Sequence, residues 1–296
     1  MSILDTLSFV ANHPLNRERK LQSMVRFLKW QIGSSLSPGT TVHNWINGSK
    51  FYVQRGETAL TGNIYTGLFE FADMGFLLHF LRGQDLYVDV GANAGSFTIL
   101  ACSVVGARGI AFEPVPSIYA RLVNNVELND LSQRVVCVNK AVGAEVGRIA
   151  FTSRSGATNH ALATNEACID SISVEMTTLD SALANEAPAL LKIDVEGFES
   201  AVVKGSTETL GADSLKAVIM ELNGSGSRYG FVEDQIVTEM FRFGFESYCY
   251  DPFLRELTRI DGKNLESGNT IFIRDASFAK ERVQSAVAVE ILGRLV

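Results

Sequence analysis

The chain has 296 residues, of which 46% are hydrophobic, and this excludes a disordered protein and suffices for one large domain. Its formal net charge is −7 at pH 7. Because nucleic-acid phosphates require a basic binding face, this charge argues against a nucleic-acid partner and favours a small or neutral substrate.

The cysteines predict a reducing compartment. They lie far apart, with no C-x-x-C pair and no nearby histidine, so we interpret them as core thiols: Cys102, Cys137, Cys168 and Cys249. No stretch approaches the roughly 18 apolar residues of a membrane span, and the first residues lack the apolar run of a signal peptide. We therefore expect no transmembrane segment and a cytoplasmic location.

Residues 1–66 are predicted to form an N-terminal arm of helix and β-hairpin. Leu21, Met24, Val25 and Leu28 recur on one helical face, among the basic residues Arg17, Arg19, Lys20, Arg26 and Lys29. So short a stripe is typical of a helix packed on its own domain, and contact with a membrane or an acidic substrate is the alternative. Residues 33–67 are polar and glycine-rich, which predicts hairpins before the sheet.

From residue 67 to 275 we expect the main domain, in which strands and helices alternate. Strands are predicted near 86–90, 109–113, 134–138, 189–194, 215–221, 245–250 and 270–274, and helices near 95–106, 116–129, 197–210 and 231–243. This alternation predicts an α/β fold, a doubly wound, mostly parallel, seven-stranded sheet. An insertion at 143–178, with extra strands at 148–151 and 171–174, is a candidate substrate wall. Residues 276–296 are predicted to form a helical tail.

Residues 85–98 predict a buried strand, a glycine turn and then a helix. Gly91 and Gly95 permit backbone angles and close approaches that a β-carbon would block, and the helix presents unpaired N–H groups. The segment 91–95 lacks the G-x-G-x-x-G spacing of a dinucleotide site. A cofactor without a pyrophosphate is therefore favoured, and a nicotinamide oxidoreductase is disfavoured.

The next strand ends in Glu113, about twenty residues beyond the glycine turn, where an acid that binds a ribose is expected. Its carboxylate can accept hydrogen bonds from both ribose hydroxyls. The alternative is a solvated acid at the end of a strand.

The fourth strand ends in two carboxylates, Asp194 and Glu196, after Lys192. Residues i and i+2 of a strand share a face, so the three side chains project together if the chain stays extended. The lysine would then lower the pKa of the neighbouring carboxylates. The alternative makes Glu196 an acid at a helix N-terminus, favoured by the helix dipole.

These motifs resemble a known family. The D-x-G-x-N-x-G pattern at 89–95 resembles motif I of class I S-adenosylmethionine (SAM) methyltransferases. Together with segments 64–70, 111–114, 139–143 and 192–197, it is similar to the FkbM family of SAM-dependent methyltransferases. The resemblance implies a Rossmann-like class I methyltransferase fold and O-methylation of a hydroxyl on a sugar, lipid or secondary metabolite. It also implies that Glu70 reaches the methionine end of the cofactor.

We assign residues to SAM binding as follows: Glu70, Asp89, Gly91, Asn93, Gly95, Thr98, Glu113 and Asp194. A base is needed to remove the acceptor proton, and the candidates are Glu196, His160 and Glu221. His160 and the preceding Asn159 resemble a short element in one subgroup of the family. Alternatively, Asp194, Glu196 and Glu221 could share a divalent cation with the acceptor, but we rank the metal-free reaction first.

Two other functions are weighed. A methyltransferase acting on an adenine amino group would carry Asn or Asp, two prolines and an aromatic residue after the fourth strand, whereas Asp-Val-Glu-Gly stands at 194–197. A non-catalytic SAM-binding sensor would not need the carboxylates there. Metal dependence, oligomeric state and the identity of the hydroxyl acceptor do not follow from the sequence.

Overall fold

A computed structural model describes residues 3–36, 39–153, 159–163, 166 and 170–296. Its helices are α1 (Ile3–Asn12), α2 (Lys20–Leu36), α3 (Thr58–Thr66), α4 (Phe71–Phe80), α5 (Ser96–Ile99, continued by a π-helix at Leu100–Val105), α6 (Pro116–Leu128), α7 (Leu179–Ala182), α8 (Glu199–Lys204), α9 (Thr207–Gly211), α10 (Glu233–Arg242) and α11 (Ala276–Ser285). Short 3-10 helices lie at Ile46–Gly48 and Ser225–Tyr229.

The strands are β1 (Thr41–Asn44), β2 (Lys50–Val53), β3 (Leu86–Val90), β4 (Arg108–Phe112), β5 (Val135–Val138), β6 (Ala141–Val142), β7 (Gly147–Thr152), β8 (Ser171–Thr177), β9 (Leu190–Ile193), β10 (Ala217–Glu221), β11 (Glu246–Asp251), β12 (Glu256–Arg259), β13 (Asn269–Ile273), β14 (Glu290–Ile291) and β15 (Arg294–Leu295). All seven predicted strands of the main domain are present.

The central sheet has the strand order β12-β11-β13-β10-β9-β3-β4-β5. Strands β10, β9, β3, β4 and β5 are parallel, and β13 is antiparallel to both of its neighbours. The sheet has eight strands, so the predicted number of seven was wrong. The additional strand, β12, is a mostly exposed Glu-Leu-Thr-Arg segment at the sheet edge, with no apolar pattern to mark it.

Helices cover both faces of the sheet, as the doubly wound prediction required. On one face α4 and α11 pack through Phe76, Phe80 and Val283, and on the other α8 and α10 pack through Val202 and Ile236. Strands β3, β9 and β13 are buried along their whole length. Because these strands are covered on both faces, their polar side chains can reach a ligand mainly at the strand ends.

The arm is attached to the main domain by side-chain amides. Asn125 of α6 accepts a hydrogen bond from the Tyr52 amide (2.7 Å) and donates one to the carbonyl oxygen of Ala94 (2.8 Å). Asn129 accepts from the Lys50 amide at 2.8 Å. These bonds satisfy polar groups of β2 and join the arm to the glycine loop.

The N-terminal arm differs in two respects from what the sequence predicts. Residues 58–66 form helix α3 rather than a hairpin. Helix α2 packs on its own domain as expected, but through Ser23, Phe27 and the half-buried Met24, while Leu21, Val25 and Leu28 of the predicted stripe are exposed. These apolar residues are spaced for a helix, but the sequence does not show which face meets the body.

The tail is helical only as far as Ser285. Residues 290–295 form the hairpin β14–β15, because Leu292 (φ 53°) and Gly293 (φ 78°) adopt the left-handed backbone that a tight hairpin turn requires. The insertion strands are confirmed, since β7 and β8 pair antiparallel and β6 joins β8. The boundaries at 66 and 275 stay predictions.

Cys102 is buried, and Cys137 and Cys249 are half-buried, each as a free thiol. Cys168 lies outside the described residues. Within the part of the chain that the structure describes, no helix has both the length and the hydropathy to cross a membrane. The cytoplasmic location stays a prediction.

Candidate active site

A cleft opens where β3, β4, β9 and β10 end, with about 1120 Å³ of space that includes its opening to solvent. Eight of the eleven predicted site residues line it: Glu70, Asp89, Gly91, Asn93, Glu113, Asp194, Glu196 and Glu221. Gly95, Thr98 and His160 do not line it. The strand ends thus gather most of the predicted acids in one place, as expected for an open α/β sheet.

Two glycines shape the loop after β3. Gly91 has φ +83°, and a β-carbon there would lie 1.8 Å from the carbonyl oxygen of Asp194. Gly95 has φ +90°, and its β-carbon would lie 2.7 Å from the Leu122 side chain. The loop therefore passes directly over the end of β9, in a path that only glycine permits at residue 91.

Asp89 is buried at the end of β3. Its Oδ2 accepts a hydrogen bond from the Thr98 hydroxyl at 2.6 Å, while its Oδ1, also buried, makes no hydrogen bond of ordinary geometry with the described residues. The buried Tyr87 hydroxyl, which also makes none, interacts with this carboxylate. Burial raises the pKa of Asp89. Thr98 consequently orients Asp89 from behind the cleft, and one carboxylate oxygen of Asp89 is left for a donor.

Glu113 is buried rather than solvated. Its Oε2 accepts from the Asn93 amide (3.0 Å) and its Oε1 accepts from the Val115 amide (2.9 Å). Burial raises the pKa of Glu113 to about 7, against the two amides, which lower it. Each oxygen keeps a second lone pair, so the carboxylate can still accept hydrogen bonds from a ligand in the cleft.

Lys192 is a buried ammonium among the acids. Its Nζ lies 2.7 Å from Asp194 Oδ2 and 4.6 Å from the centroid of the Phe97 ring. Burial lowers the pKa of Lys192, but the carboxylates of Asp194, Glu70 and Asp89 outweigh burial and hold this pKa above its ordinary value. The lysine thus stays charged and balances part of the negative charge of the cleft.

Glu70, at the start of α4, is held by a residue that the sequence did not single out. Asn269 donates from Nδ2 to Glu70 Oε2 (2.6 Å) and to Asp73 Oδ2 (3.0 Å). Burial raises the pKa of Glu70 to about 7 and that of Asp73 to about 6. Asn269 lies on β13, some two hundred positions away, and no local pattern marks it.

Asp194, Glu196 and Glu221 form a cluster in which one oxygen from each carboxylate lies within 4.8 Å of the others. Burial, and then the charge of Asp194, raises the pKa of Glu196 to about 7. Burial, then Asp194 and Glu196, raise the pKa of Glu221 far above its ordinary value. Like charges this close favour a shared proton or a bound divalent cation, for which oxygen ligands are suitable.

The backbone turns sharply at Glu196, which has φ +55°. Glu199 Oε1 accepts from the amides of Val195 (3.0 Å) and Gly197 (3.2 Å). Strand β9 ends at Ile193, so the extended geometry predicted for Lys192, Asp194 and Glu196 does not reach Glu196. The acid in the first turn of helix α8 is Glu199, so the helix dipole favours Glu199 rather than Glu196.

His160 lies beside the cleft rather than in its lining. Its Nε2 is 2.9 Å from Glu166 Oε1, and its amide donates to the Thr152 hydroxyl at 3.0 Å. The neighbouring Asn159 lines the cleft instead. Arg228 donates to the carbonyl oxygen of Glu196 at 3.0 Å, which fixes the turn.

The apolar part of the cleft was missed by the sequence analysis. It includes Phe69, Phe97, Phe112, Ile118, Phe151 and Phe198. Apolar residues in strands and helices are expected in the core, and no spacing distinguishes those that face a ligand. Together with the polar strand ends, these residues give the cleft a mixed apolar and polar lining, as in many cofactor sites.

The family model described as the methyltransferase FkbM domain matches residues 89–247, more than half of the chain. The hexuronic acid methyltransferase AglP of Haloferax volcanii is 30% identical over 152 residues, which cover 50% of this chain and 59% of AglP. The match thus spans less than two thirds of that relative.

Solved structures that resemble the chain include TYW2 of P. horikoshii in complex with MeSAdo (14% identity, 81% of this chain and 73% of that chain, TM-score 0.44). Another is an RNA methyltransferase of Salinibacter ruber in complex with S-adenosylhomocysteine (15% identity, 68% and 86%, TM-score 0.34). The absence of a nucleic-acid partner stays a prediction. The family model covers more than half of the chain, and the chain therefore belongs to the FkbM methyltransferase family.

Proposed function

We propose that this protein transfers a methyl group from SAM to a hydroxyl group of a carbohydrate. The observation that carries the proposal is that one cleft brings the strand-end acids Asp89 and Glu113 together with the cluster of Asp194, Glu196 and Glu221. The first two suit a nucleoside cofactor, and the cluster suits removal of a proton. The name of the relative AglP supports a sugar, and specifically a hexuronic acid, as the acceptor.

The residues of the cleft fit SAM. Asp89 offers a buried carboxylate oxygen to an ammonium group, and Glu113 offers lone pairs to the ribose hydroxyls. A β-carbon at Gly91 would clash with the Asp194 carbonyl oxygen, so the bare backbone lets the loop lie where Asp89 and Asn93 line the cleft. When bound, SAM supplies a methyl group on a positively charged sulfonium, which an acidic cleft stabilises.

Glu196 is our assignment for the general base. It lines the cleft, and burial raises its pKa to about 7, which is near the operating pH that suits proton transfer. Glu221 has a pKa so far raised that it carries its proton at neutral pH, and His160 is outside the cleft lining. Glu196 would accept the acceptor proton, while Arg228 holds the turn that carries it.

A divalent cation on Asp194, Glu196 and Glu221 is the second arrangement that the cluster allows. Such a cation would lower the pKa of the acceptor hydroxyl directly. We rank the metal-free reaction first, because Lys192 already pairs with Asp194 at 2.7 Å. Turnover that persists in EDTA supports this order, and turnover restored only by added magnesium reverses it.

The experiment is incubation of the purified chain with SAM and glucuronic or galacturonic acid glycosides, followed by mass spectrometry and NMR of the product. We expect a singly methylated sugar with the methyl carbon bonded to a hydroxyl oxygen. Methyl transfer to the carboxylate, which would give a methyl ester, would contradict the proposal. SAM binding without turnover on any hydroxylated acceptor would favour the sensor instead.

A further inference from the structure

Helix α2 exposes an apolar face to solvent. Its members, which we call the α2 apolar face, are exposed to the following extents: Leu21 80%, Val25 43%, Leu28 54%, Ile32 59% and Leu36 77%. Single exposed apolar residues are ordinary on protein surfaces, but a contiguous row of five marks an interaction site.

The row runs along one side of the helix. Intervals of three and four residues separate successive members, so their side chains lie on the same face. The opposite side is fixed to the protein, since Phe27 packs on Tyr65 with ring centroids 5.0 Å apart. Arg26 donates to the Asn16 side chain (2.5 Å) and to the Tyr65 carbonyl (3.1 Å). The helix therefore cannot turn its apolar face inward without losing these contacts.

The charges beside the apolar face are positive. Helix α2 contains no aspartate or glutamate, and its Lys20 and Lys29 are exposed. Residues 17–36 carry five cations and one carboxylate, Glu18, which pairs with Arg294 at 3.3 Å. This contrasts with the whole chain, whose net charge is −7. A surface that combines exposed aliphatic side chains with local positive charge matches an anionic, amphiphilic partner.

We propose that the α2 apolar face lies on the surface of an anionic lipid bilayer. Aliphatic side chains would enter the boundary between headgroups and acyl chains, while Lys20 and Lys29 would contact lipid phosphates. A second copy of the chain fits less well, because it would place lysines of two helices together with no carboxylate on either helix to pair with them. The surface is separate from the cleft residues, so the inference does not depend on the proposed reaction.

The test is co-sedimentation of the full chain with vesicles of phosphatidylcholine alone or of equal parts phosphatidylcholine and phosphatidylglycerol. We expect binding to the anionic vesicles and release at about 1 M NaCl, where the screening length is about 3 Å. Ile32→Glu and Leu28→Glu should each weaken binding about tenfold or more. Leu265→Glu, at a site that is 86% exposed outside α2, is the matched control and should bind as the parent chain does.

Unchanged thermal unfolding and SAM affinity would show that the variants fold. Equal binding to neutral vesicles, or binding that Ile32→Glu leaves intact, would overturn the proposal. A concentration-dependent dimer that Ile32→Glu dissociates, with no vesicle binding, would assign the face to a second copy and also overturn it.

Discussion

At the residue scale, the site depends on Asp89, whose Oδ1 is buried and makes no hydrogen bond of ordinary geometry in the described part of the chain. We predict that Asp89→Asn weakens SAM binding by about tenfold to a hundredfold, because a hydrogen bond to a charged group contributes about 1.5–3 kcal/mol. The amide can still accept from Thr98, so the fold should persist. Calorimetric titration with SAM measures the effect.

The exposed Asp261→Asn is the control for this change and should bind SAM with parental affinity. An Asp89→Asn variant that matched the parent chain would remove Asp89 from the cofactor site.

A second residue-scale prediction concerns Glu196. A base acts only after losing its proton, and since the pKa of Glu196 is raised to about 7, kcat should rise with pH up to about pH 7 and then level off. Glu196→Gln should lower kcat by about 10²–10⁴-fold with little change in SAM affinity. Profiles of kcat against pH for both proteins test this.

If Glu196→Gln kept full turnover with the same acidic limb, Glu196 would not be the base. Glu221→Gln and His160→Ala, measured in parallel, would then show whether either of the other candidates takes that role.

Sequence predicted the acids of the site because each ends a strand or belongs to a family motif. Asp89 and Glu113 are separated along the chain, but parallel neighbours bring their ends together. Asn269 could not be predicted, since its role follows from β13 and α4 meeting across nearly two hundred residues. The apolar lining of the cleft could not be predicted either, since no spacing distinguishes it from the core. Thr98 does not line the cleft and donates to Asp89, a contact that the motif alone does not indicate.

At the element scale, the glycine loop is set by one close approach. We predict that Gly91→Ala weakens SAM binding at least tenfold and destabilises the chain by about 1–3 kcal/mol, because its β-carbon would lie 1.8 Å from the Asp194 carbonyl oxygen. Gly211→Ala is the matched control, since a β-carbon there meets nothing within 4 Å. Chemical denaturation and calorimetry measure the two quantities, and equal behaviour of the two variants would contradict this account.

Elements with a strong apolar pattern were predicted, and those without one were not. The strands of the main sheet read as apolar runs because both faces are covered, whereas β12 has neither burial nor pattern. The terminal hairpin depends on the turn at Leu292 and Gly293, which a helical interpretation of the tail overlooked. The orientation of α2 required knowledge of what Phe27 packs against.

At the scale of the whole molecule, the cleft concentrates acids whose pKa values burial raises. Glu70, Glu113 and Glu196 each have a pKa near 7 against an ordinary value of 4.5. The folded protein therefore holds protons more tightly than the unfolded chain does. Their contribution to stability is fully present below about pH 4.5 and is lost as the pH rises through about 7.

We therefore predict that Glu221→Gln raises the melting temperature of the ligand-free protein at pH 8 by about 2 °C or more, and changes it less at pH 5. Burial and the neighbouring acids raise the pKa of Glu221 farther still, so folding at pH 8 disfavours the ionised carboxylate that the unfolded chain carries. A neutral glutamine amide avoids this cost. Glu266→Gln, at an exposed position, is the control. A variant less stable than the parent at pH 8 would show that the Glu221 carboxyl makes contacts that an amide cannot replace.

The central claim is that the cleft between Asp89 and Glu113 binds SAM. Calorimetric titration of the purified chain with SAM, S-adenosylhomocysteine and NAD tests it most directly. The account predicts micromolar binding of the first two and none of NAD, with the affinity lost in Asp89→Asn. Binding of NAD instead, or of none of the three, would contradict it.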